Sequence, residues 1–176
     1  MISLNKLVEN CTLIKDEYER VISGPQASEL WMDWESDWDH GADWQILPVY
    51  ASERIVRNRY GKEVDWEWLT VLMSGLWPST WRILFEAIDP DRVSLVAFSR
   101  LRAGQELAPH EHENSGHKVF HMGIDIPEGD VGIHSSSGLF QWEKAGDWIL
   151  FDDNKTHSAW NRTQGDRVVF YMDFIS

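Results

Sequence analysis

From residue 93 onward the chain is a succession of short β-rich runs: Val93–Leu101, Lys118–Ile126, Asp130–His134, Leu139–Trp142, Trp148–Phe151, Thr156–Trp160 and Arg167–Ile175. Between them sit Ala-Gly, Pro-Glu-Gly-Asp, Ser-Ser-Ser-Gly, Ala-Gly-Asp and Gln-Gly-Asp. Short strands broken by turn residues at this spacing predict a β-sandwich or jelly roll. The first 90 residues follow a different rhythm. Leu4, Leu7, Val8, Cys11, Ile14, Tyr18, Val21 and Ile22 recur in steps of three and four, which predicts one helix from Ser3 to the Gly24-Pro25 stop. Trp31, Trp34 and Trp38 suggest a second helical stripe ended by His40-Gly41. Trp44 to Ala51 reads as a strand interrupted by Pro48, and Arg59-Tyr60-Gly61-Lys62 as a turn. Pro78 begins a helix running to Ile88, with Ser79 or Thr80 as its cap. With no internal repeat or linker, residues 1–176 are expected to form one domain, a helical and mixed layer (1–90) packed on a β core (91–176).

Composition narrows the partners. A hydrophobic fraction of 43% is that of a globular protein and argues against disorder. The net charge of −13 comes from acids spread over both halves, and six carboxylates between Glu29 and Asp43 have no Lys or Arg among them. Phosphate backbones and anionic lipid surfaces are therefore poor partners, and neither a nucleic acid nor a membrane is expected. Cys11, the single cysteine, excludes an internal disulfide and a cysteine-based zinc site, and its helical surroundings predict a buried thiol. No stretch is long and apolar enough to span a bilayer, and Met1 to Lys6 lacks the pattern of a secretion signal, so a cytoplasmic location is expected. Eight of the eleven tryptophans precede residue 88. They are read as aromatic core, with an interaction surface as the alternative if they prove exposed.

The chemistry concentrates late in the chain, where six of the seven histidines fall between His110 and His157. In a strand, residues i and i+2 share a face, so His110 and His112 can address one centre while Glu111 points away. His157, arriving from a distant strand, would complete three facial positions of an octahedron and leave the others open for a chelating co-substrate and oxygen. Taken alone, a histidine-x-histidine pair is a weak signal. Arg167 alone would be read as a surface ion pair with Asp166, and Ser99 as a hydroxyl satisfied inside a sheet.

The motifs carry more together. Leu76-Trp77-Pro78-Ser79-Thr80, Ala97-Phe98-Ser99, Ala103-Gly104 before Pro109-His110, His121-Met122-Gly123-Ile124, Phe151-Asp152-Asp153 leading to His157, Asn161 and Asp166-Arg167-Val168 follow one another in order. Eleven positions separate His110 from His121, and ten separate His157 from Arg167. In this the chain resembles the aspartyl/asparaginyl β-hydroxylase family of Fe(II)/2-oxoglutarate oxygenases over about three quarters of its length. The resemblance implies a double-stranded β-helix (jelly roll, cupin-like) and a dioxygenase that hydroxylates an unactivated carbon. It implies Fe(II) held by His110 and His157. It also implies 2-oxoglutarate paired through its distal carboxylate with Arg167 and hydrogen-bonded by His121 and Ser99, and molecular oxygen as co-reactant. Arginine suits that task, being permanently charged and able to offer a planar fork to a carboxylate.

Two departures qualify the match. His112 stands where many iron/2-oxoglutarate enzymes carry an acid and some relatives a small residue. It is read as a third metal ligand because it shares a face with His110, with Glu113 as a rival if the segment bends. Val119 stands where relatives with an Arg-x-His triplet place a basic residue used on an acidic substrate, which argues against peptidyl aspartate. A peptide side chain, a free amino acid, another small molecule and a lipid acyl chain are all compatible substrates at this stage. So is a different class of protein, a metal- or ligand-binding jelly roll that does not turn over 2-oxoglutarate. The Asp152-Asp153 pair before His157 could orient an imidazole or stabilise a turn, Trp142 and Trp160 are assigned to packing, and His117 and His134 to structural or exposed positions.

Overall fold

The computed structural model describes residues 3–33, 43–60, 65–112 and 116–175. The N-terminal stripe forms two helices, α1 (Leu4–Glu9) and α2 (Cys11–Ile22), where the sequence predicted one. The break has a local cause. Asn10 sits at φ −103°, ψ 15°, and its side-chain amide donates to the Lys6 carbonyl at 2.8 Å, so a polar side chain competes with the helical ladder. The stripe is still one apolar face, with Leu7, Cys11, Ile14, Tyr18 and Val21 buried. The Cys11 thiol is buried as expected, and burial raises its pKa.

The expected tryptophan helix does not begin at Trp31. Trp31 is extended (φ −77°, ψ 132°) and leads into β1 (Met32–Asp33), which pairs with Ile46 and Gln45 of β2 (Trp44–Ala51). Trp34, Trp38 and His40-Gly41 lie outside the described residues. Two further helices, α3 (Glu53–Tyr60) and α4 (Trp66–Leu76), had no counterpart in the pattern, so Arg59 and Tyr60 end a helix instead of opening a turn. Helix α5 (Pro78–Ala87) forms as predicted but is capped differently. Neither Ser79 nor Thr80 caps it with its side chain. Instead the Glu17 carboxylate of α2 accepts from the Ser79 and Thr80 backbone N–H groups at 3.0 and 2.7 Å. Burial would raise the Glu17 carboxyl, but those N–H groups hold it below its ordinary value, and the helix dipole favours the same charge.

The β half follows the pattern closely: β3 (Val93–Leu101), β4 (Glu106–His110), β5 (His117–Asp125), β6 (Val131–Ser135), β7 (Gly138–Gln141), β8 (Trp148–Asp152), β9 (His157–Asn161) and β10 (Arg167–Ile175). Only β4 was not foreseen. Two antiparallel sheets face each other, ordered β1-β2-β3-β10-β5-β8 and β4-β9-β6-β7. Strands that alternate between two sheets in this way define a double-stranded β-helix, the jelly roll expected, with β1 and β2 widening the larger sheet. One apolar cluster joins α1, α2 and α5 to that sheet's outer side, while a second (Leu107, Val119, Ile133, Phe151, Val169) lies between the sheets. The tryptophans divide in the same sense. Trp44 and Trp77 are buried and Trp31, Trp66 and Trp81 half-buried, which supports the core reading, although Trp68 on α4 is 59% exposed.

Candidate functional site

The sheet register assembles the histidines. His110 ends β4, His157 begins β9, and the two are direct cross-strand partners with ring centroids 4.3 Å apart. His112 follows two residues on, anchored by its backbone N–H to the Asp153 carbonyl at 3.1 Å, with its ring 5.4 Å from His110 and 5.7 Å from His157. One ring nitrogen from each of the three lies within 4.8 Å of the others. The tautomers follow from the backbone. His110 Nδ1 is 2.7 Å from the Ala108 carbonyl and His157 Nδ1 2.9 Å from the Lys155 carbonyl. A carbonyl only accepts, so both Nδ1 atoms carry the proton, leaving Nε2 as the ligating nitrogen. Burial pushes His110 down to about 4, against the pull of the Ala108 carbonyl. Burial also lowers His157, with Lys155 and Asp153 acting in the opposite sense. Both imidazoles are thus neutral at neutral pH, the form that binds a metal.

Asp153 Oδ1 lies 3.9 Å from His157 Nε2, beside the triad, whereas Asp152 stabilises the turn by accepting from Asn154 and pairs with Lys118 at 3.1 Å. The two roles weighed for this pair are split between its members. Glu111 is exposed, 3.3 Å from the Thr156 hydroxyl, and Glu113 lies outside the described residues.

A cavity of about 370 Å³ opens from the triad between the sheets. Arg167, 1% exposed, lines it, and its Nε and Nη1 are buried without a hydrogen-bond partner among the described residues. The surface pair with Asp166, the reading of Arg167 taken alone, does not form, because Asp166 accepts from Arg102 at 3.2 Å and from the Ala103 N–H at 3.1 Å. Burial holds the Arg167 guanidinium at about 10, still protonated at neutral pH. His121 lines the same cavity with both ring nitrogens buried and unpartnered, and burial, then the Arg167 charge, hold it well below its ordinary pKa. Trp142, assigned to packing from sequence, has its ring centroid 5.4 Å from the Arg167 guanidinium carbon, and its indole N–H is a further buried donor without a partner. Buried polar atoms are normally satisfied, so orphans on three neighbouring side chains mark a place for a ligand rich in acceptors. Ser99 is buried, accepts from Trp44 Nε1 at 2.8 Å and does not itself line the cavity, whereas Trp44 does.

Sequence reasoning also missed the strip on the other side. Tyr171 and Asp173 on β10 face the cavity, and Asp173 Oδ1 is 2.6 Å from Nδ1 of His117, which is buried. Val119 is buried in the cavity wall, while Lys118 points away to Asp152, as strand alternation predicted. His134 is exposed. Asn161 is structural, its amide donating to the Leu101, Arg102 and Gly165 carbonyls and fixing the turn before Arg167. Gly123 of the His-Met-Gly-Ile motif is required sterically, since a Cβ there would sit 2.9 Å from the Lys144 carbonyl oxygen.

The fold thus brings a histidine triad and a buried arginine to the walls of one cavity. The family model described as Aspartyl/Asparaginyl beta-hydroxylase matches residues 8–176, and the chain belongs to that family of hydroxylases. It is 29% identical over 100 residues to an ornithine lipid ester-linked acyl 2-hydroxylase of Rhizobium tropici, a match covering 56% of this chain and 34% of the relative, so the chain spans about a third of that protein's length. Among solved structures it is similar to a predicted oxalate decarboxylase of Thermotoga maritima (22% identity, 49% of this chain and 70% of that one, TM-score 0.39). A cupin domain of Bordetella pertussis is similar at 18% identity (51% and 88% covered, TM-score 0.38).

Proposed function

We propose that this protein is an Fe(II)/2-oxoglutarate-dependent dioxygenase that hydroxylates an unactivated carbon on an aliphatic chain. The observation that carries the reading is the Arg167 guanidinium, buried and without a hydrogen-bond partner for Nε or Nη1, in the cavity that the histidine triad also lines. Three imidazoles on one centre suit a first-row divalent ion, and a buried cation with no counter-charge among the described residues suits a carboxylate. His110, His157 and His112 would hold the metal, and Arg167 and His121 the co-substrate, while Ser99, which does not line the cavity, acts only through the Trp44 indole it accepts from. The iron, when bound, would supply oxygen activation: one atom of O₂ enters succinate as 2-oxoglutarate loses CO₂, and the other is inserted into a substrate C–H to give C–OH.

The chain's own contribution is positional. The Ala108 and Lys155 carbonyls fix two imidazole orientations. Arg167 anchors the far carboxylate, so that the near end of the dicarboxylate is aimed at the triad. Leu107, Val119, Ile133, Phe151 and Ala159 keep water from the reacting centre. On the substrate side, Ile46, Pro48, Ile55, Val56 and Leu95 form an aliphatic wall. This wall, and the lipid acyl chain named for the Rhizobium relative, favour an aliphatic chain over a peptidyl acid. A metal-binding jelly roll without turnover is the second reading, supported by His112, a third histidine that could fill a position that oxygen needs.

The test is an anaerobic titration of metal-free protein with Fe(II) and then 2-oxoglutarate, monitored for the visible charge-transfer band of the chelate. A band that is lost in Arg167→Ala supports the proposal. Metal binding through His110 and His157 with no band would leave the second reading.

A further inference from the structure

The cavity is electrically polar along β10. Arg167, Tyr171 and Asp173 all line it from that strand, and six residues of extended chain separate the first from the last by about 20 Å. One end is therefore a buried cation and the other a buried carboxylate. Phe151, the cross-strand neighbour of Val119, has its ring 5.1 Å from that of His157, and Val119 is in turn paired with Asp173. The Asp173 end thus lies beside the triad, on the side away from Arg167, where a substrate would sit.

At that end the charges are carboxylates. Asp173 on β10 and Asp153 beyond β8 flank β5, and both line the cavity. Among the described lining residues, Arg167 and the histidines are the only basic groups. The nearby Arg54 is hydrogen-bonded to the Ser94 hydroxyl at 3.0 Å and does not line the cavity. The charge balance rests on the function proposed above. A divalent metal and a dicarboxylate cancel, and Arg167 lies at the far end of the strand, so the substrate end is left with the Asp153 and Asp173 carboxyls and no lysine or arginine among its described lining residues. Burial of an unmatched charge is expensive, and the enclosure relieves it by admitting a cation.

We infer that the substrate end of the cavity selects an aliphatic molecule bearing one positively charged amine, seated against Asp173 with its chain along Ile46, Ile55 and Leu95. His117 is the positioning residue of this subsite: its Nδ1–H holds one Asp173 oxygen at 2.6 Å, which orients the carboxylate. Val119 lies cross-strand from Asp173, where a basic side chain would neutralise that carboxylate and reverse the selectivity.

Hexylammonium and hexanoate, equal in chain length and opposite in charge, test this by NMR titration of the full metal-free chain. Hexylammonium is expected to perturb the amides of residues 117–120 and 171–174, at least tenfold more weakly in Asp173→Asn and unchanged in Arg167→Ala. Hexanoate is expected at the opposite end, and to be lost in Arg167→Ala. Should Asp173→Asn fail to fold, Val119→Lys serves instead, with hexylammonium weakened at least tenfold and hexanoate gained beside residue 119. Equal hexylammonium affinity in wild type and variant, or hexanoate at the Asp173 end of the wild type, overturns the inference. The oxygenase reading is tested separately by the charge-transfer band, so either can fail while the other stands.

Discussion

Replacing Arg167 by Met should stabilise the ligand-free protein while removing its affinity for 2-oxoglutarate. Burial holds the guanidinium at about 10, below the ordinary arginine value. At about 1.4 kcal/mol per tenfold, that gap sets a cost of about 3 kcal/mol on the charged form in the fold. The sign follows from linkage: the unfolded chain holds this proton more tightly, so the cost applies in full at every pH below about 10 and fades only above it. Methionine keeps the aliphatic stem and removes the charge, giving up the cation–ring contact with Trp142. For a chain of this size about 3 kcal/mol corresponds to about 6–12 °C in Tm, which is a ceiling because the smaller side chain leaves a void. A rise of a few degrees in thermal unfolding without ligand is expected. Addition of an inert divalent metal and 2-oxoglutarate at a hundred times its Kd should stabilise the wild type by about 2.7 kcal/mol and leave the variant near its starting point. A ligand-free variant that melts more than about 5 °C below the wild type would refute the reasoning, because the guanidinium would then be holding the fold together.

His110 contributes to the pH dependence in the same direction as the other buried histidines, His157 and His121. Its pKa in the fold is about 4, against about 6.5 in the unfolded chain, so the unfolded chain binds the proton first. Metal-free protein should therefore lose stability as pH falls from about 6.5 toward 4, as read by denaturant midpoints across that range, whereas a His110→Gln variant should show a shallower fall. His112→Ala should weaken binding of Co(II), used as a spectroscopic stand-in, at least tenfold and change its visible spectrum; an unaltered spectrum would remove His112 from the ligand set. Glu17→Ala deletes the carboxylate that serves two N–H groups of α5 and should cost about 1–3 kcal/mol, measured by urea unfolding, with no change in metal affinity.

The legible parts of the sequence are those where a single local rule decides. Strands β3 and β10 could be read to the residue, because β-branched and aromatic runs bounded by turn residues leave few alternatives. Strand β4 was not legible: Glu-Leu-Ala-Pro-His buries only Leu107 fully and so lacks an alternating pattern. Helix α4 failed for the opposite reason, since Trp-Glu-Trp-Leu-Thr-Val-Leu-Met is apolar on nearly every side and shows no 3.6-residue stripe. The histidines and Arg167 stood out through motif order. The His117–Asp173 pair did not, because it joins residues 56 positions apart whose meeting depends on the β5–β10 register. The Glu17 cap on α5, with a separation of 62 to 63, is invisible from sequence for the same reason.

The buried polar groups explain why the site takes this form. An interior that accepts a charged dicarboxylate, as proposed above, cannot be satisfied internally, since any protein partner for Arg167 or His121 would have to be displaced on binding. The neighbourhood is arranged to keep such partners away: Asp166, next in sequence to Arg167, is drawn off by Arg102 and the Ala103 N–H. The other acid on this strand, Asp173, is held by His117 at the opposite end. The Trp142 indole N–H follows the same logic, being a donor left without a protein acceptor beside the guanidinium. Each unmet group lowers the stability of the ligand-free protein and strengthens ligand binding by a comparable amount. Low intrinsic stability at this end of the barrel and affinity for an anion are therefore one property, and a substitution that raises the first should lower the second.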